Sequence, residues 1–143
     1  MKNLTRIFAV AILLATLVTV LASCSAKPNG DPAAAVKALQ KNHYQILSND
    51  TETLPAEYAK LGVADVIHVV VATRVEANKK GEQQAEGVTI LYFKDAAAAK
   101  AALSRATDLL NIQSSDSIGS KYVVKQSGSM IYAGTKNAIK AAK

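Results

Sequence analysis

The stretch Val66-Ile67-His68-Val69-Val70-Val71-Ala72-Thr73 limits the folds open to this chain more than any other. Branching at the β-carbon stiffens a side chain against a helix and packs well on a pleated surface, so a segment this dense in Val, Ile and Thr predicts a strand. A run so apolar has to be covered on at least one face, which makes Asp65 to Val75 the central strand of a sheet.

Its surroundings supply partners. Gly87 to Lys94 resumes a strand with Val88, Ile90 and Tyr92 on one side. The polar segment Glu76 to Glu86, with Lys79-Lys80-Gly81, joins the two as a hairpin connection. Asp95 is placed to cap a helix reaching Leu110, on which Ala99, Leu103, Ala106 and Leu110 recur at helical spacing. After the polar loop Gln113 to Ser117, short strands at Lys121 to Gln126 and Met130 to Ala133 meet around Ser127-Gly128-Ser129, where glycine permits a tight turn.

Gly134-Thr135 opens a terminal helix that Thr135 caps, with Ile139 inward and Lys136, Lys140 and Lys143 outward. Upstream, Asp31 and Pro32 form the start of a helix to Lys41 that turns Val36 and Leu39 inward. Tyr44 to Ser48 reads as a short strand and Asn49 to Thr53 as a polar loop. A short second helix starts near Pro55 and ends at Gly62.

The sum is an α+β fold: an antiparallel sheet of four or five strands with helices on one face. Two arrangements suit this order. The middle section, β-α-β-β-α-β, has the connectivity of a ferredoxin-like split unit. Leaving Tyr44 to Ser48 out of the sheet gives two successive α-β-β units instead. An internal echo, Ile90 to Asp95 against Met130 to Thr135, each a strand running into a helix, reads as a recurring β-to-α joint in an alanine-rich chain.

Ahead of this domain lies a different kind of segment. Met1 to Arg6 carries Lys2 and Arg6 and no acid, and the 15 residues Ile7 to Leu21 carry no charge. As a helix that run would measure about 22 Å, short of a bilayer core of about 30 Å. Leu21-Ala22-Ser23-Cys24 follows, small residues before the chain's single cysteine.

This arrangement resembles the lipobox of bacterial lipoproteins. The resemblance implies diacylglycerol on the Cys24 sulfur and cleavage by signal peptidase II between Ser23 and Cys24. It divides the chain into a signal peptide at 1–23, a lipidated cysteine and flexible tether at 24–30, and one α+β domain at 31–143. It also implies an extracytoplasmic, membrane-bound address. Ser25, where an aspartate would retain many Gram-negative lipoproteins at the inner membrane, leaves the outer membrane open in such a cell. From Asp31 to Lys143 the layout is similar to that of small Gram-positive lipoproteins without an assigned role, and this likeness implies no activity.

Without its first 23 residues the chain has 120, carrying 15 Lys and Arg against 11 Asp and Glu. This mild surplus suits an anionic lipid or wall polymer, and an exported chain with its basic residues spread out is not expected to bind nucleic acid. A cysteine committed to lipid leaves no disulfide, so stability has to come from apolar burial.

No catalytic constellation stands out. His43 and His68 have no carboxylate or cysteine at ligand spacing, so neither is expected to bind metal, and no cofactor motif occurs. No Gly-x-Ser-x-Gly elbow is present. Glu52, Glu57, Asp65, Glu76, Glu82, Glu86 and Asp95 are scattered near element ends, where capping and solubility account for them. Tyr92, Tyr122 and Tyr132 fall on strands and are read as packing. The expectation is a non-enzymatic lipoprotein whose domain binds an envelope protein or an anionic wall polymer. The alternative is an accessory or small-molecule-binding lipoprotein of a transport system, which needs a concave pocket.

Overall fold

The computed structural model describes residues 26–115 and 122–143, and Ser23 and Cys24 lie outside them. The described residues are α+β, with four helices and one open antiparallel sheet of five strands. In order these are α1 (Pro32–Lys41), β1 (Gln45–Asp50), α2 (Thr53–Lys60), β2 (Val66–Ala77), β3 (Gln83–Phe93), α3 (Ala96–Ser115), β4 (Tyr122–Ser127), β5 (Met130–Thr135) and α4 (Lys136–Ala141). The sheet order is β1-β2-β3-β5-β4.

The helices do not share one face, as the strand pattern had suggested. Ala35 and Leu39 of α1 and Ala138 and Ile139 of α4 pack with Val70, Ala72, Val88, Ile90, Tyr92 and Tyr132. Across the sheet, Tyr58, which ends α2's buried side, and Ala99, Ala102, Ala106 and Leu110 of α3 pack with Val69, Leu91, Phe93, Ile131 and Ala133. Successive strand residues point to opposite faces, and Val69-Val70 and Ile90-Leu91 are all fully buried. A sheet covered on one side would leave half of these in water, at about 1.5–3 kcal/mol for each large side chain. Two helical layers are the solution.

The ferredoxin-like arrangement does not form, because β1 pairs antiparallel with β2 directly, where a split β-α-β unit would seat another strand between them. The two α-β-β units do appear, as α2-β2-β3 and α3-β4-β5, with β1 kept as an edge strand. Their second strands meet: Leu91 lies opposite Ile131, and Ile90 and Tyr92 flank them opposite Tyr132 and Met130. The echoing segments are therefore sheet neighbours. Their likeness ends at the strands, since α3 and α4 leave to opposite faces.

β2 and β3 also run further than expected, pairing out to Ala77↔Gln83. The β1 ladder ends at Gln45↔Thr73 and the β5 ladder at Val88↔Gly134, so the outer rungs form a ribbon paired only with itself. At the other end, a bulge between Val66 and His68 puts Val66 and Val69 on one face although they are three residues apart. Ile67 is left 52% exposed.

Local chemistry sets the helix limits. Asp31 accepts from the Ala34 amide, with Pro32 in the first turn. Asp50, not a residue near Pro55, starts α2, accepting from the amides of Glu52, Thr53 and Leu54. Both helices end in the same double hydrogen bond: Tyr44 N–H to Leu39 and His43 N–H to Gln40 after α1, Val63 N–H to Tyr58 and Gly62 N–H to Ala59 after α2. The turn needs a positive φ, and Gly62 takes 92° freely whereas His43 takes 64° against its β-carbon. Gly134 belongs to β5, where a β-carbon would sit 2.4 Å from the Gly87 carbonyl oxygen.

The expected tether is in fact attached. Pro28 is fully buried, the Asn29 amide donates to the Ala142 carbonyl at 2.8 Å, and the Tyr92 hydroxyl donates to the Asn29 carbonyl at 2.8 Å. Residues 26–30 are part of the domain.

Candidate functional site

Where the ribbon leaves the sheet, Arg74 and Glu86 face each other across β2 and β3. Tyr44, placed by the end of α1, donates its hydroxyl to Glu86 Oε2 at 2.8 Å, and Arg74 Nη2 donates to the same oxygen at 3.0 Å. Asn137, in the first turn of α4, donates to Glu86 Oε1 at 2.7 Å. Arg74 also reaches the Asn42 carbonyl at 2.9 Å and the Glu76 carboxylate at 3.1 Å. Its guanidinium lies over the Tyr44 ring, 4.5 Å from the centroid, which accounts for a buried Nε with no hydrogen-bond partner.

Burial alone would raise the Glu86 carboxyl, but hydrogen bonds from Asn137, Tyr44 and Arg74 together hold it below the ordinary carboxylate value. Burial, and then the bond to that carboxylate, push the Tyr44 phenol far above its usual range. A general base works best with a pKa near the working pH. Glu86 is ionised with its donors in place, and Tyr44 keeps its proton. The cluster is a clasp that fastens α1 and α4 to the sheet, and its groups are not poised for acid-base chemistry.

On the same face, Ala26 leads into a groove between β4 and α4, lined also by Val123, Lys125, Tyr132, Lys136 and Ile139. It encloses about 20 Å³, the room of one water molecule. A second cavity of about 130 Å³, bordered by Gly62, Asp65 and the alanines of α3, is also below the 300–1,000 Å³ of a typical ligand pocket. Neither supports a small-molecule site.

The remaining candidates separate in space. His68 bonds to Asn49 Oδ1 and sits edge-on to Tyr92, with centroids 6.0 Å apart. His43 is exposed at the α1 turn. No three His, Cys, Asp or Glu side chains gather as metal ligands among the described residues. Tyr92 and Tyr132 are buried under α1 and α4, while Tyr122 packs on the opposite face, so the three do not form a recognition surface. Asp95 caps α3 through the Ala98 amide at 2.7 Å, and Asp65 pairs with Lys94 at 3.2 Å.

Sequence reasoning passed over the clasp. Glu86 stood among scattered acids, and Arg74, Tyr44 and Asn137 were not singled out. The one local signal was the opposite charge of Arg74 and Glu86, equidistant from the hairpin turn. No protein-family model, curated protein or solved structure matches the chain.

Proposed function

We propose that this protein is a lipoprotein held on the extracytoplasmic side of a membrane by diacylglycerol on Cys24, with a domain that binds a partner and performs no catalysis. The observation that carries the reading is the basic start, the charge-free run of 15 residues and Leu21-Ala22-Ser23-Cys24 in immediate succession, ending two residues before the domain's first buried contacts. Cleavage before Cys24 would leave a chain of 120 residues. Among the described residues no helix is long and apolar enough to cross a bilayer, and the reading places the attachment at the lipid on Cys24. Two or three acyl chains hold a protein stably, at about 0.8 kcal/mol for each buried methylene.

The non-enzymatic part of the reading is supported by a clasp whose carboxylate accepts three hydrogen bonds and is held below its ordinary pKa, and whose phenol is held above its own. Binding has two open sheet edges to work with, β1 and β4, and exposed Leu47 and Val123 on them.

Mass spectrometry of the protein from its native membrane should show a diacylated N-terminal cysteine at position 24. Cys24→Ala should abolish that mass and accumulate as the uncut precursor. A mature chain that starts elsewhere, without lipid, would refute the assignment.

A further inference from the structure

The charges of the domain are unevenly placed. From Ser117 to Lys143 the sequence contains five lysines and no aspartate or glutamate, while all 11 acids lie between Asp31 and Asp116. In the fold, Lys125 projects from edge strand β4 on the groove side, and Lys136 lines the same groove from α4. Lys136, Lys140 and Lys143 follow at helical spacing, with Ala138, Ile139 and Ala142 buried behind them, so they form one stripe beside Lys125.

The entry of the N-terminal segment coincides with this cationic edge. Ala26 lines the same groove as Lys125 and Lys136, and exposed Lys27 follows it. Cys24 is two residues earlier. Two extended residues reach about 7 Å, so a lipid on that cysteine would bring headgroups within the Debye length of about 8 Å at physiological salt. We infer that the β4–α4 edge, with Lys27, Lys125, Lys140 and Lys143, docks on anionic phospholipid headgroups and fixes the orientation of the domain on its membrane.

This inference rests on the lipid anchor proposed above and goes beyond it by naming the surface that faces the bilayer. Each lysine near an anionic leaflet is worth about fivefold in association. The lipid supplies the residence time and the lysines supply the orientation. Glu86 reaches α4 through Asn137, and Arg74 pairs with its carboxylate.

The test uses the full lipoprotein extracted from its membrane and reconstituted into vesicles of phosphatidylglycerol with phosphatidylcholine, or of phosphatidylcholine alone. A pulse of an amine-acetylating reagent is then read by peptide mass spectrometry. Lys125, Lys140 and Lys143 should react about threefold or more slowly on the anionic vesicles, with the difference lost in roughly 0.5 M salt. Exposed Lys60, Lys80 and Lys100, on other elements, should react equally on both. The double variant Lys125→Glu/Lys140→Glu should keep its lipid yet lose the protection of Lys143.

Equal rates on the two vesicles, or protection centred on Lys60, Lys80 or Lys100, would overturn the inference. So would equal protection by soluble poly(glycerol phosphate) on neutral vesicles, which would give the edge to a wall polymer. A protein found without lipid on Cys24 counts against the anchor alone. Its salt-sensitive flotation with anionic but not neutral vesicles then upholds the docking edge, and no flotation removes it.

Discussion

The two faces of the sheet are built on different terms. Beneath α2 and α3 the contacts are those of Val69, Leu91, Phe93 and Ile131 with a row of alanines, and small side chains let the long helix lie close. Beneath α1 and α4 the same strands present Tyr92 and Tyr132, joined by Tyr44 from the end of α1, with the Glu86 clasp at one border and the N-terminal segment threaded across. The first face is held mainly by apolar volume, with Tyr122 and its hydrogen bond to Thr89 among its contacts. The second depends on named hydrogen-bond partners from four parts of the chain, so its integrity reports on where residues 26–30, α1 and α4 sit.

The contrast makes neighbouring residues behave differently. Leu91→Ala removes a fully buried side chain from the alanine face and should cost about 2–5 kcal/mol in denaturant unfolding, with no new pH dependence. A loss under about 1 kcal/mol would mean that this face is loosely packed.

Glu86→Gln should cost less, about 2 kcal/mol, because Arg74 retains partial exposure and Glu76 as a second partner. Its pH signature is the sharper test. A carboxyl whose folded pKa lies below its unfolded value of about 4.3 adds stability above that value and loses it as pH falls through the folded pKa. The wild type should therefore weaken on acidification through this window, and Glu86→Gln should flatten the slope while Leu91→Ala keeps it. Asp50, also held low by backbone amides, leaves a residual slope in both. Identical slopes in all three proteins would remove the clasp from the account.

The smallest effect compares the two helix ends. His43→Gly relieves a left-handed residue and should stabilise by about 1 kcal/mol, a rise of several degrees in Tm, whereas Gly62→Ala should destabilise by about as much. If His43→Gly destabilises instead, the imidazole makes a contact worth more than the strain.

Much of the fold is legible in the chain, and the illegible parts have physical causes. The β-branched run at Val66 identifies β2 because its preference is local and strong. Asp31, Asp95 and Thr135 locate helix starts because a cap acts within three residues. The ribbon escapes because Glu76, Ala77 and Gln83 to Ala85 form strands with both sides in water, which leaves no apolar alternation to read. The two-sided cover lay in the consecutive apolar residues Ile90 to Phe93, which a one-faced reading splits into alternate positions. The clasp escapes because its partners stand 12, 42 and 51 residues from Glu86, joined by topology alone.

The bond from Asn29 to Ala142 sets how the domain carries load. A pull arriving from the N-terminal side meets Ala26 in its groove and then buried Pro28, and next reaches the bonds to the Ala142 carbonyl beyond α4 and the Tyr92 hydroxyl on β3. β3 is paired on both sides, so traction enters the sheet at its middle and shears several ladders together instead of peeling an edge strand rung by rung.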